Sequence, residues 1–314
     1  MKPLLVVNPK SGGGATGRTF GAMRGTIENA LGQVEVAMTD RPGHGIDLAR
    51  EAALAGHPLV VAVGGDGTFH EVVNGLMQAR STDYGVGGKD RTAVGLIAQG
   101  TGGDFRKTLG LEHRLDRYLD ALKSGRERSL DVGKFSGGGK TGHYFVNILS
   151  AGMGGLVDRY VADAPRFLGG KAAYFGASLK ALVNARLGNL RCKVTNDGKT
   201  EVVHVKTFMI ALCNGRYFGG GMKVAPMAEI DDGKLEVVAL GATSKIGFAM
   251  TSRAIYDGSH IGAAGNVHFR GEKIEIEIAN DDARSAYLLD VDGEPMGDLP
   301  LSVEVLPKAL TLRA

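Results

Sequence analysis

The sequence has no tryptophan, and of its 314 residues only two are cysteine and nine are proline. Cys192 and Cys213 stand far apart and outside any CxxC spacing, which argues against a disulfide framework or a structural zinc site and suits a reducing compartment. Both are read as inert thiols. A surplus of charge is missing as well: a formal net charge of +3 gives no nucleic-acid signal, so no nucleic-acid partner is expected and any electrostatic partner must be met by a local patch. Long apolar runs are also lacking. The opening "MKPLLVVNPK" reaches Asn8 and Pro9 too soon for a signal-peptide core. Tyr144 to Val157, the longest apolar stretch without a charge, is glycine-interrupted and shorter than the roughly 20 residues a spanning helix needs. The chain is therefore expected in the cytoplasm, without a transmembrane segment.

Glycine runs the other way. Its 49 residues cluster after apolar runs, the pattern of a backbone that approaches something closely. The length favours two domains over one large one. Up to about residue 126, strand-like runs (Leu4 to Val7, Val34 to Met38, Leu59 to Val63, Val94 to Ile97) alternate with helical ones (to Leu31, Ile46 to Leu54, Phe69 to Met77, and within Phe105 to Leu122). The expected class is α/β in two domains. Residues 1–126 form an N-terminal βαβ nucleotide-binding domain with a parallel sheet, and residues 127–299 a second, mainly antiparallel β domain with two helical interruptions. Period-two alternation is clearest in "KLEVVAL" from Lys234 and "KIEIEIA" from Lys273, while the alternating segment 300–314 is left open between the domains.

Three glycine loops follow strand ends. The first, Asn8 to Gly17, satisfies GxGxxG and nearly a P-loop, but four residues separate its glycines from the strand and Arg18 stands where a P-loop has lysine. Exposed N–H groups and Lys10 can still cradle phosphate there. The second, Gly64-Gly65-Asp66-Gly67-Thr68, opens a helix whose Phe69, Val72, Val73 and Leu76 form one apolar stripe, so His70, Glu71 and Asn74 are expected to face away from the sheet. Asp66 or Thr68 could simply cap that helix; capping does not require the whole Gly-Gly-Asp-Gly-Thr. The third, Gly100-Thr101-Gly102-Gly103-Asp104, repeats the design. Loops of backbone donors and carboxylates at three strand ends suit a nucleoside triphosphate, ATP, held with magnesium.

Asn8-Pro9 with Ser11-Gly12, "GGDGT" extended by "HEVVNGL", and "GTGGDF" at Gly100 to Phe105 resemble the diacylglycerol kinase catalytic-domain family, the lipid kinases that include bacterial diacylglycerol kinases and sphingosine kinases. "NGRYFGGGMKVAPMAEIDDGKLEVV" from Asn214 and "VDGEP" from Val291 extend the resemblance nearly to the end of the chain. It implies a nucleotide between the domains, touched by Asn8, Thr39, Gly64, Gly65, Asp66, Gly67, Thr68, Glu71 and Thr101; Lys10 and Gly102 of the glycine loops join them as nucleotide-binding candidates. It also implies a second, structural magnesium held by Asp232 and the carbonyl of Leu235, although Asp-Asp-Gly alone is an ordinary hairpin turn. The family usually has asparagine where this chain has Gly103, which puts phosphate geometry in doubt.

The catalytic candidates are Asp66, Asp292 and Glu294. An extended Asp-Gly-Glu would set the last two carboxylates on one face, and which of them takes the hydroxyl proton is left open. All eight histidines are read as non-catalytic. Pro165 to Lys193 holds six basic residues and no acidic one, and Phe175, Leu179, Leu182 and Val183 fall at helical spacing. Such a helix would meet an anionic lipid surface, making the protein peripheral at the membrane, or would merely pack on the β domain. The leading expectation is an ATP- and magnesium-dependent kinase acting on a hydroxyl of diacylglycerol or a related membrane lipid. Alternatives are a kinase of a soluble acceptor such as NAD, an idle nucleotide- and membrane-binding module, and, weakest, a nicotinamide oxidoreductase. A homodimer is kept as a candidate assembly.

Overall fold

A computed structural model describes residues 1–81, 92–100, 102–163, 170–241, 244–245, 247–248 and 253–314. The first third is a βαβ series: β1 (Leu4–Val7), α1 (Ala15–Leu31), β2 (Glu35–Met38), α2 (His44–Ala55), β3 (Leu59–Gly64), α3 (Asp66–Ser81), β4 (Ala93–Ala98), α4 (Asp104–Thr108) and α5 (Leu115–Ser124). β1, β3 and β4 are buried on both faces, as central strands of a helix-covered parallel sheet must be. They pair in parallel in the order β2-β1-β3-β4.

The rest of the chain is mostly antiparallel, as its alternation implies. β5 (Glu127–Gly137), β6 (Lys140–Phe145) and β7 (Ile148–Gly152) lead to α6 (Met153–Ala162) and α7 (Gly170–Asn184). β8 (Gly188–Asn196), β9 (Lys199–Thr207), β10 (Met209–Cys213) and β11 (Leu235–Leu240) follow. Then come α8 (Ala254–Asp257), β12 (Asn266–Gly271), β13 (Lys273–Ile278), α9 (Asp281–Arg284), β14 (Leu288–Val291), β15 (Glu294–Asp298) and β16 (Leu301–Arg313). The short helices α8 and α9 are helical interruptions beyond the two expected. A six-stranded antiparallel sheet runs β12-β11-β10-β7-β14-β15.

The C-terminal strand belongs to both halves. β16 pairs in parallel with β4 at Leu312 and Val94, and antiparallel with β13 and with β5. The β5 register shifts between Leu306 and Leu310, where Lys308 takes φ +51°. The fully buried Asp131 accepts the Lys308 N–H at 2.6 Å and the Gly233 N–H at 2.6 Å, so one carboxylate fixes the bulge and the turn that precedes β11. One apolar core lies between the parallel sheet and its helices; another, with Phe135, Phe145, Leu212 and Ile274, fills the sandwich between the two sheets. Cys192 and Cys213 are buried, and burial pushes the Cys192 thiol up to about 12, in keeping with unreactive thiols.

Candidate functional site

The three glycine loops meet because their glycines touch. A Cβ on Gly100 would lie 2.6 Å from the Cα of Gly65, one on Gly64 2.3 Å from Thr68 Oγ1, and one on Gly12 2.7 Å from the carbonyl oxygen of Gln99. Side chains there would force the loops apart. Gln99 N–H donates to the Gly64 carbonyl at 2.7 Å, Asn8 Nδ2 donates to Thr68 Oγ1 at 3.1 Å, and Thr39 N–H donates to the Val7 carbonyl at 2.9 Å. A cavity of about 290 Å3 opens between them, lined by Asn8, Lys10, Ser11, Thr39, Asp40, Arg41, Pro42, Gly65, Gly67, Thr68 and Glu71 from the first half of the chain and by Glu294 from the second. Gly64, Asp66 and Gly102 do not line it, and Thr101 falls outside the described residues. Asp232 and Leu235 do not line it.

Asp66 does cap a helix, but not its own. Its Oδ2 and Oδ1 accept the N–H groups of Asp104 and Phe105, each at 3.2 Å, joining the second loop to the helix of the third. Burial, followed by the charge of Asp104, pushes its pKa up. Asp104 Oδ2 in turn accepts the Gly220 N–H at 2.8 Å, and Oδ1 takes Lys107 Nζ at 2.8 Å. The two carboxylates face each other across Gly102, where a Cβ would sit 3.1 Å from Asp66 Oδ2 and 3.8 Å from Asp104 Oδ2. Two carboxylates at the second and third glycine loops are donors of the kind magnesium accepts, each oxygen here also meeting an N–H group or Lys107 Nζ. No cluster of three metal-ligating side chains occurs among the described residues. The carboxylate of Asp232, the expected ligand of a structural metal, meets the Arg270 guanidinium and the Lys234 N–H.

Gly103 has φ +58°, a left-handed conformation that glycine adopts freely and asparagine tolerates. The departure from the family's asparagine therefore leaves the backbone path of the loop intact.

Two expectations about the acidic segment need correction. Asp292 and Gly293 are not extended; both have positive φ, +52° and +91°, and form the two-residue turn between β14 and β15. The carboxylates consequently diverge. Asp292 turns inward, with a side chain 2% exposed: Oδ1 accepts the N–H groups of Asn147 and Ile148, and Oδ2 accepts that of Val146 at 2.9 Å and meets His70 Nδ1 at 2.8 Å. Glu294 stays solvent-accessible at the cavity mouth, where a Cβ on Gly67 would lie 3.5 Å from its Oε1. Its carboxylate accepts no hydrogen bond among the described residues. Partial burial of that carboxylate pushes its pKa up, His70 opposes the rise, and the charges of Glu71, Asp158 and Asp292 add to it.

His70, expected to face solvent, is instead 6% exposed. The side of α3 away from the parallel sheet is covered by the second half of the chain: Asn74 Nδ2 donates to the Tyr144 carbonyl at 3.0 Å, and Tyr144 N–H donates back to Asn74 Oδ1 at 3.2 Å. Burial depresses the His70 pKa, but the hydrogen bond and charge of Asp292 outweigh it and leave it raised. The spacing of His70, Asn74 and Met77 at i, i+4 and i+7 was the available signal for this second buried stripe.

The comparisons with known proteins give the class, a phosphotransferase family of the lipid kinase type. Residues 2–135 match the model of the diacylglycerol kinase catalytic domain, and residues 147–314 that of the YegS C-terminal NAD kinase beta sandwich-like domain. The chain is 32% identical over 292 residues to the probable YegS-like lipid kinase of Chromohalobacter salexigens, covering 92% of this chain and 86% of that one. It is 27% identical over 300 residues to the diacylglycerol kinase of Bacillus subtilis strain 168, covering 94% and 90%. A solved diacylglycerol kinase structure from Bacillus anthracis str. Sterne superposes with a TM-score of 0.68 at 22% identity, covering 99% of this chain and 96% of that one, which speaks to the fold alone. The chain belongs to the family of diacylglycerol kinases and YegS-like lipid kinases. Among the described residues no helix is long and apolar enough to cross a membrane.

Proposed function

We propose that the protein transfers the γ-phosphoryl group of ATP, with magnesium, to a hydroxyl of diacylglycerol or a related membrane lipid. The observation that carries this reading is Glu294: an uncommitted carboxylate with a raised pKa, reaching from the second half of the chain over a cavity lined by the glycine loops of the first. Residues 1–126 hold the nucleotide and 127–299 present the acceptor, with β16 joining the two. Asn8, Thr39, Gly65, Gly67 and Thr68 line the nucleotide site. The N–H groups of Gly12 and Gly13 and Lys10 receive phosphate. Asp66 and Asp104 would hold magnesium, which supplies charge neutralisation at the transferred group. Glu294 accepts the hydroxyl proton, and Asp292 positions it by anchoring the turn that precedes it.

The lipid is met at a bilayer surface by α7, whose Leu179 and Val183 are 57% and 64% exposed beside Lys180 and Arg186. Such a protein works in the cytoplasm, peripheral at the membrane. The description of the second family model as NAD kinase-like keeps NAD as the competing acceptor. The test is label transfer from γ-labelled ATP to diacylglycerol and to a sphingoid base in mixed micelles with magnesium, with NAD in parallel. Label in one lipid class supports the reading; label in NAD, or in no acceptor despite ATP binding, overturns it.

A further inference from the structure

The run Gly152 to Gly155 ends β7 and opens α6, and its glycines lay that helix directly on the six-stranded sheet. A Cβ on Gly154 would run into Ser150 Oγ, and one on Gly155 into the Leu288 carbonyl oxygen. The spacing carries through from there. Asp158 stands three residues beyond Gly155 on the same helix face, and Asp290 two residues beyond Leu288 on the same strand face, so the two carboxyl groups meet and share a hydrogen bond. Asp290 is 7% exposed and lies opposite Ser150 of β7, whose Oγ donates to Oδ2 at 3.3 Å. Its Oδ1 accepts the Gly293 N–H at 2.8 Å. That bond closes the Asp292–Gly293 turn from within, and the residue after the turn is Glu294.

A hydrogen bond between two carboxyl groups needs a proton on one of them, since two carboxylates that close repel. Among the described residues neither group forms an ion pair with a lysine or arginine that could absorb a second negative charge. Burial, followed by the charge of Asp158, pushes the Asp290 pKa far up; burial also raises that of Asp158, but the bond from Asp290 opposes the rise, so the proton sits on Asp290. The other groups around the pair do not change this. Asp292 on the same hairpin adds its negative charge, with His70 beyond it; Glu294 feels the charge of Asp158; β7 offers only the neutral Ser150.

We infer that Asp290 is a positioning residue for Glu294: as a carboxylic acid it donates a hydrogen bond to the Asp158 carboxylate and clamps the turn from which Glu294 projects. Two carboxyl groups thereby carry one negative charge. Loss of the shared proton at alkaline pH sets two carboxylates against each other and loosens the turn. The inference rests on the reading of Glu294 as the base.

The experiment joins infrared spectroscopy and amide hydrogen exchange on the nucleotide-free protein with the pH dependence of kcat for diacylglycerol phosphorylation, in the native protein, Asp290→Ala and Asp290→Asn. At neutral pH the native protein shows the C=O stretch of a protonated carboxyl group that both variants lack. In Asp290→Ala the Gly293 N–H exchanges faster, and kcat falls about 10- to 100-fold at an unchanged KM for ATP, since a reacting group misplaced by about 1 Å costs up to about 100-fold. Asp290→Asn keeps an acceptor for Gly293 and a donor for Asp158, and it carries the test should the alanine variant not fold. It recovers most of kcat and loses the alkaline fall in kcat that the native protein shows, a change that a purely structural role would not produce. The same alkaline limb in native protein and Asp290→Asn overturns the inference. If the native protein phosphorylates no lipid, the functional reading fails, whereas a carboxyl band that survives both substitutions, or unaltered Gly293 exchange in Asp290→Ala, refutes the acid clamp by itself.

Discussion

Replacing Asp292 by asparagine separates the roles of the two acidic residues in the β14–β15 hairpin. The native carboxylate accepts three backbone N–H groups, from Val146, Asn147 and Ile148, and pairs with His70, all in a region that water does not reach. The carboxamide oxygen can keep the Asn147 and Ile148 bonds; its NH2 then faces the Val146 N–H, donor against donor. One buried backbone donor left without an acceptor costs about 1–3 kcal/mol. The raised-pKa His70 also loses the charge that favours its protonated form. Breaking a buried pair by removing one partner typically costs about 3–5 kcal/mol, so the expected loss is at the lower end of that range, about 3 kcal/mol. Glu294→Gln removes a carboxylate that no described residue hydrogen-bonds, and should change stability by less than about 0.5 kcal/mol. Urea unfolding followed by circular dichroism reads both. If Asp292→Asn unfolds within about 1 kcal/mol of the native protein, Asp292 is not the anchor described, and the choice of base between the two residues reopens.

Three further outcomes follow from the same geometry. Because the folded-state pKa of His70 is raised, its stabilisation is complete below the unfolded value of about 6.5 and is lost as pH rises through the higher folded one. The urea midpoint should therefore fall over that window in the native protein, and less in His70→Gln; equal pH dependence in both would exclude His70 as the source. Gly100→Ala drives a methyl group into the Gly65 backbone and should cost about 1–3 kcal/mol and weaken ATP binding, read by unfolding and calorimetry. A variant as stable as the native protein would show that the loops do not press together. Gly103→Asn should fold with a loss below about 1 kcal/mol, and Gly103→Val with about 1–2 kcal/mol, since only the latter resists positive φ; equal losses would refute the conformational explanation.

The parallel half was legible in the sequence because its signals are local: uninterrupted apolar strands, helices of 3.6 periodicity, and glycines at strand ends. Even there, the reason for the glycines, Gly100 against Gly65 and Gly12 against Gln99, appears only when loops distant in sequence are brought together. What failed was long-range. His70 and Asp292 are 222 residues apart, and Asn74 and Tyr144 are 70 apart, so no periodicity in α3 could say what covers its second face. Asp-Gly is a strong turn signal, and reading Asp292 to Glu294 as extended let the i, i+2 rule override it. The Asp232 loop, read through family resemblance as a metal site, also has Arg270 beside it across the β11–β12 pair, a neighbour that the turn sequence does not reveal.

The most direct test of the central claim is a comparison of native protein and Glu294→Gln at saturating ATP and magnesium, with diacylglycerol in mixed micelles, after both are shown to bind ATP equally. The account predicts phosphorylated lipid from the native protein and a loss of roughly 10²–10⁴-fold in kcat for the variant, the range a general base supplies. Lipid phosphorylation at near-native rate by Glu294→Gln would contradict it.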